Sequence, residues 1–248
     1  MSTNTTSVWR KKLKELEIVV VIPTYNNGKT LAAVIEEVCR YADDIIVVND
    51  GSTDDTANIL EQYPAIRTIT HPVNKGKGTA LKHGLSQAKK EGFRYAITID
   101  SDGQHFASDI PCFIEAIEKE PDTLLVGARN LASDNMPGKN TFANKFSNFW
   151  FRLETGLKLE DTQSGYRLYP LRKMNVQSCW YTAKYEFELE AIVFAAWGRC
   201  SGEEHSHPRV LSPASGTGIP FPSLPGFHPY QCAEHGAGAD YLPLDYSP

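Results

Sequence analysis

Apolar residues follow two rhythms along the first half of the chain. Glu17 to Pro23, Asp44 to Val48, Ile66 to Thr70, Tyr95 to Ile99 and Thr123 to Gly127 are short runs rich in β-branched residues. Such runs predict strands, and Glu17 to Pro23 and Tyr95 to Ile99 have the continuous apolar pattern of buried ones. Between them the spacing is helical. Lys29 to Tyr41 sets Leu31, Val34, Ile35 and Val38 on one face. Further helices are predicted from the Asn74–Ala80 loop to about Lys90, and from about Ser108 to Lys119. Strands alternating with helices predict an α/β fold with a doubly wound, mostly parallel sheet and helices on both faces.

The first four strands each end in a polar cluster. These are Thr24-Tyr25-Asn26, Asp50-Gly51-Ser52, Asn74 to Gly78, and Asp100 to His105. Open α/β sheets bind ligands at the carboxyl ends of their strands, so the shared placement predicts one cleft and a nucleotide-binding half. The most informative cluster is Asp100-Ser101-Asp102. Two carboxylates one residue apart raise each other's pKa unless a cation lies between them. Oxygen ligands suit Mg²⁺ or Mn²⁺, and Mg²⁺ keeps few protein carboxylates. A solvated acidic turn is the other reading, since Asp and Gly are ordinary turn residues. The loop Asn74-Lys75-Gly76-Lys77-Gly78 is neither a P-loop nor a GxGxxG fingerprint. It reads either as a plain helix start or as a phosphate contact in which Lys77 takes part.

The second half opens with an aromatic, amphipathic stretch from Asn140 to Leu157. Packing against the sheet accounts for it; contact with an apolar substrate or a membrane surface is the alternative. Asp161 to Pro170 is a polar cluster followed by Arg167, which suits anion binding or an ion pair. Tyr185 to Glu190 opens a helix running to Trp197. Its glutamates suit the positive end of the helix dipole, or one of them points into the cleft.

Composition narrows the function. A net charge of −5 gives no reason to expect a nucleic-acid partner. Five scattered cysteines form no metal-ligand spacing and suggest reduced thiols in a cytosolic setting. The first 16 residues read as a basic extension carrying Arg10, Lys11, Lys12 and Lys14, with no secretory signal. No apolar run reaches membrane-spanning length.

Taken together, VVIPTYNN, VVNDGSTDDT, NKGKGTALKHG, ITIDSDGQH, DTQSGYRLYP and KYEFELE resemble the motifs of family-2 glycosyltransferases of the GT-A type. They stand in family order between Glu17 and Trp197, and the nearest likeness is to the dolichol-phosphate or polyprenyl-phosphate mannosyltransferase branch. The resemblance implies a GT-A-type domain over residues 17–198, a GDP- or UDP-linked sugar donor, and Mg²⁺ or Mn²⁺. It implies a lipid-phosphate acceptor, a cytoplasmic enzyme working at the inner face of the membrane with peripheral contact, and a role in cell-envelope glycan synthesis. Pro23, Tyr25 and Asp50 match positions that hold the nucleoside. Asp100 and Asp102 match the metal pair, with Gln104 beside them. Arg129 and Arg167 fall where the family places basic residues near the acceptor phosphate or donor diphosphate. Asn27 departs from the glutamate the family usually carries there. Metal and arginines neutralise a departing nucleoside diphosphate. An anionic lipid phosphate needs no strong base; a hydroxyl acceptor needs a carboxylate, for which Asp161 and Glu188 are the candidates, Asp102 lying with the metal.

Residues 199–248 break the pattern. Ser201 to Pro248 holds eight of fifteen prolines and four of seven histidines, without helical or alternating periodicity. It reads as an irregular tail. His205, His207, His228 and His235 fit no zinc spacing. Members of this branch often continue with a segment similar to SHFRPFRDF. Permitted codons for Pro220 to Phe227, read one base later, give His-Phe-Arg-Pro-Phe-Arg-Asp-Phe, and those for His228 to His235 give Thr-Leu-Ile-Ser-Val-Leu-Asn. The tail is therefore read as a frameshifted translation. This leaves an active transferase as the leading reading. A nucleotide-sugar-binding protein without transfer activity, impaired by its tail, is the alternative.

Overall fold

The structure is a computed structural model. It describes residues 3–127, 148–153, 155, 162–174, 186–196, 210–211, 213–215 and 230–232. Helix α1 covers Thr3–Glu15, and strand β1 covers Ile18–Thr24. There follow α2 (Leu31–Val38), β2 (Ile45–Asn49), α3 (Thr56–Glu61) and β3 (Arg67–Thr70). Next come α4 (Lys77–Lys90), β4 (Tyr95–Thr98), α5 (Ile110–Lys119) and β5 (Leu124–Val126). Residues 148–153 form α6. Beyond it lie β6 (Arg167–Pro170), α7 (Glu186–Ala196), β7 (Val210–Leu211), β8 (Pro213–Ser215) and β9 (Tyr230–Cys232).

The main sheet runs in the order β3-β2-β1-β4-β6-β5-β7, with β8 and β9 paired separately. Strands β3, β2, β1 and β4 are mutually parallel, β6 runs antiparallel to both β4 and β5, and β7 is parallel to β5. The mostly parallel α/β sheet expected from the sequence is what forms. Alternation along β1 explains the two faces. Ile18, Val20 and Ile22 join one core with α2 and α5, whereas Val19 and Val21 join the other with α4 and α7. A strand buried on both sides must be apolar at every position, which is why EIVVVIP carries no polar alternation.

Two features lie outside the expected elements. The basic N-terminal stretch forms α1, whose Leu13 is buried in the first core. Strand β6 is inserted between β4 and β5, and it matters for the site. Its register sets Arg167 opposite Thr98 at the carboxyl end of β4, so residues 162–166 fold across that end. On the other face, α4 presses closely on the sheet. A Cβ at Gly84 would lie 2.5 Å from Val21 Cγ1 and 3.0 Å from Val48 Cγ2, so only glycine permits this approach.

Cys39 is a free thiol, but Cys112 on α5 is disulfide-bonded, contrary to the expectation of five reduced cysteines. Helix α5 lies against β8, a long-range approach that cysteine spacing does not reveal. Within 199–248 the described residues are the short strands β7, β8 and β9.

Candidate functional site

The site is built on the carboxyl ends of β1, β2 and β4. Parallel register aligns Thr24 with Asn49, and Ile99 N continues the β4 ladder by donating to Val21 O (3.1 Å). The loops after β1 and β2 are tied together. Asn26 N donates to Ser52 Oγ (3.0 Å), Thr53 N to Asn26 Oδ1 (2.8 Å), and Gly28 N to Asp54 Oδ2 (2.9 Å). Pro23 is buried within β1 and Tyr25 is exposed at its end. Asn27 Nδ2 donates to Ser101 Oγ (2.7 Å), joining the β1 loop to the acidic loop.

Asp50 is buried at the end of β2. Its Oδ1 accepts from Lys75 N (2.9 Å) and meets His71 Nδ1 at 2.6 Å; its Oδ2 accepts from Gly76 N (2.8 Å). A carboxylate only accepts, so His71 carries its proton on Nδ1 toward Asp50. On its other side, His71 Nε2 lies 2.7 Å from His83 Nδ1, so the two rings share a hydrogen bond. Asp50 therefore pins the glycine loop, which turns at Gly76 with φ +93° and starts α4. Neither His71 nor His83 was singled out in the sequence, although His83 stands within the motif NKGKGTALKHG.

The pinned loop delivers Lys77. Its ammonium lies 2.8 Å from Asp100 Oδ1, 2.9 Å from Asp100 Oδ2 and 3.1 Å from Glu188 Oε1. Burial would lower the Lys77 pKa, but the two carboxylates outweigh it and hold the ammonium above the ordinary lysine value. Glu188 is buried on α7. Burial raises its pKa, opposed by the charges of Lys77 and Arg167. Among the described residues, Glu188 Oε1 meets no donor in hydrogen-bond geometry and is matched only by the Lys77 ion pair at 3.1 Å.

Asp102 is exposed, and its Oδ1 accepts from the backbone of the likewise exposed Gln104 (2.9 Å). The structure thus brings Lys77, Asp100 and Glu188 into contact, with Asp102 and Gln104 on the adjoining loop. Arg167 is fully buried and used differently. Its Nε donates to Ser164 O (2.7 Å), one terminal nitrogen to Thr162 O (2.9 Å), and the other to Glu188 O. It brackets the 162–167 loop against α7. Asp161 and Arg129 lie outside the described residues.

The oxygen donors fit a hard divalent cation. Asp100 faces Gly165, where a Cβ would lie 2.3 Å from Asp100 Oδ2, so the missing side chain leaves the carboxylate its room. Among the described residues, no three His, Cys, Asp or Glu side chains converge. Asp100 and Asp102 are the two carboxylates carried by this loop.

The family model described as glycosyl transferase family 2 matches residues 19–177, which contain all of these loops. The chain belongs to glycosyl transferase family 2. It is an α/β transferase of GT-A type, and the binding-only alternative is not favoured. It is 32% identical over 199 residues to a UDP-N-acetylglucosamine–dolichyl-phosphate N-acetylglucosaminyltransferase of Methanococcus voltae, covering 72% of this chain and 79% of that protein. It is 28% identical over 160 residues to the polyprenol monophosphomannose synthase of Mycolicibacterium smegmatis, covering 60% of each. A dolichyl-phosphate beta-glucosyltransferase of Trichomonas vaginalis is 28% identical over 60% of this chain, which spans about half of that protein (52%). The fold matches the glucosyl-3-phosphoglycerate synthase of Mycobacterium tuberculosis in its complex with UDP. The TM-score is 0.58 at 22% identity, covering 78% of this chain and 69% of that one. Among the described residues, no helix is long and apolar enough to cross a membrane.

Proposed function

We propose that this glycosyltransferase moves a sugar from a GDP- or UDP-linked donor to a polyprenyl phosphate. The observation that carries the reading is the Lys77–Asp100–Glu188 cluster at the carboxyl end of β4, beside exposed Asp102, in a family-2 chain. Relatives named for dolichyl-phosphate and polyprenol substrates support the acceptor class.

In this reading, Pro23 and Tyr25 border the nucleoside, and Asp50 shapes the pocket by holding the glycine loop. Asp100 and Asp102 would hold Mg²⁺ or Mn²⁺, with Gln104 beside them. The ion supplies positive charge to the diphosphate as it departs. An acceptor phosphate oxygen forms the new bond to the anomeric carbon while the bond to the donor's β-phosphate oxygen breaks. The nucleoside diphosphate leaves with that electron pair. The acceptor is already anionic, so no proton need be removed from it. Lys77 adds charge beside the diphosphate, and Arg129 is proposed, on the family resemblance, to add charge there as well. Arg167 acts through the loop it brackets. Glu188 orients Lys77, and with Asp161 it is the candidate base for a hydroxyl acceptor. We place the reaction at the cytoplasmic face of the membrane, in cell-envelope glycan synthesis, with exposed Phe149, Trp150 and Leu153 offered to the lipid.

The test is transfer from GDP-mannose and from UDP-N-acetylglucosamine to a polyprenyl phosphate, with Mn²⁺ supplied. The purified chain should form the lipid-linked sugar with one donor, and Asp102→Asn should lose most of that activity. Transfer only to a hydroxyl acceptor, or full activity in Asp102→Asn and Asp100→Asn, would overturn the assignment.

A further inference from the structure

Lys77 holds a position that needs explaining. A single ammonium sits within 3.1 Å of carboxylates from two elements, Asp100 after β4 and Glu188 on α7. Asp100 is also the carboxylate that the proposed function gives to the divalent ion. A second cation beside the same carboxyl group meets like-charge repulsion in a partly buried site. One of the two must give way. Asp100 is confined, because Gly165 packs against its Oδ2 with no space for a side chain. Glu188 is fixed on a helix and buried. Lys77 alone has a flexible four-carbon stem and three rotatable donors.

We propose that Lys77 is an internal counter-ion that changes partners during donor binding. It neutralises Asp100 while the donor is absent. It leaves Asp100 for the donor's diphosphate when a divalent cation takes that place, turning about Glu188. The inference rests on the metal reading above and adds a consequence to it. Divalent cation and diphosphate then bind cooperatively through one side chain, and the coupling is reciprocal. A purely structural pin would stabilise the fold without linking the two ligands.

The experiment measures Mn²⁺ binding to the full chain by electron paramagnetic resonance, alone and with saturating UDP or GDP. In the wild type, nucleoside diphosphate should tighten Mn²⁺ by about tenfold, within the usual range of coupling. Lys77→Met should bind Mn²⁺ alone several-fold more tightly, bind the diphosphate more weakly, and lose most of the coupling. Lys77→Arg, which keeps the charge, should leave Mn²⁺ alone as weakly bound as in the wild type. Absence of coupling in the wild type overturns the inference without any variant, so a Lys77→Met chain that does not fold leaves it open to refutation. Unchanged Mn²⁺ affinity in folded Lys77→Met also overturns it, while loss of Mn²⁺ binding in Asp100→Asn keeps the metal reading intact. Mn²⁺ binding indifferent to Asp100→Asn and Asp102→Asn removes both.

Discussion

Gly165 and Asp100 are packed so closely that a Cβ at position 165 would lie 2.3 Å from Asp100 Oδ2. That contact spans 65 residues, and the antiparallel insertion of β6 beside β4 creates it. Gly165→Ala must move either the carboxylate or the loop. Overpacking of this kind costs about 1–3 kcal/mol. Misplacement of a binding group by about 1 Å can cost a hundredfold in rate. Gly165→Ala should therefore lower the denaturation midpoint and weaken both Mn²⁺ binding and transfer. Wild-type Mn²⁺ affinity in the variant would show that Asp100 is not held by this contact.

Asp50 offers a second test, because both of its oxygens are engaged. Asp50→Asn replaces one acceptor with an NH₂ group facing backbone N–H groups or His71. Leaving such a buried donor unsatisfied costs about 1–3 kcal/mol. The glycine loop should loosen, so urea denaturation should show the loss, and nucleoside diphosphate affinity should fall with it. A variant as stable as the wild type would mean that the loop does not depend on Asp50.

The strands β1, β2 and β4 were legible because burial on both faces forces continuous apolar runs. The parallel register then collects their polar ends without further information. Strand β6 was not legible. RLYP is short, ends in proline and begins with a charge. Arg167 is buried only because three carbonyls, one of them 21 residues away on Glu188, receive its donors. In the sequence it reads as a residue for anion binding or an ion pair. The acidic loop was legible from its composition, but its link to Lys77 was not, because Lys77 depends on a loop held by Asp50 from another strand. The disulfide at Cys112 was hidden for the same reason: which cysteines meet is set by the fold and not by their spacing.

The pH dependence of stability should include Asp54. The Thr56 hydroxyl donates to its carboxylate, and Gly28 N and Thr56 N add two more hydrogen bonds, so its pKa falls below the ordinary 3.8. A lowered folded-state pKa contributes stability above the unfolded value, lost as pH falls through the folded one. The group is exposed, so the effect is small. Asp54→Asn should be less stable than the wild type at pH 7, and the difference should shrink below pH 3.8. A constant difference across that range, measured by urea denaturation, would remove the carboxylate from the linkage.

The stretch 199–248 carries the last prediction. The family match ends at residue 177, and the motifs of the resemblance end at Trp197. We propose that the residues beyond are a frameshifted translation. Each residue ordered on folding costs roughly 1–2 kcal/mol, which a strand or helix recovers by burying apolar side chains. Ser201 to Pro248 is interrupted by proline and glycine throughout, whereas the alternative frame supplies an apolar run. Strand β7, only two residues long, sits at the sheet edge beside β5. Restoring the frame near the Gly198 codon should raise solubility, resistance to protease and transfer activity together. The nucleotide sequence decides the matter directly. Codons for Pro220 to Phe227 that yield nothing similar to HFRPFRDF one base later would end the proposal.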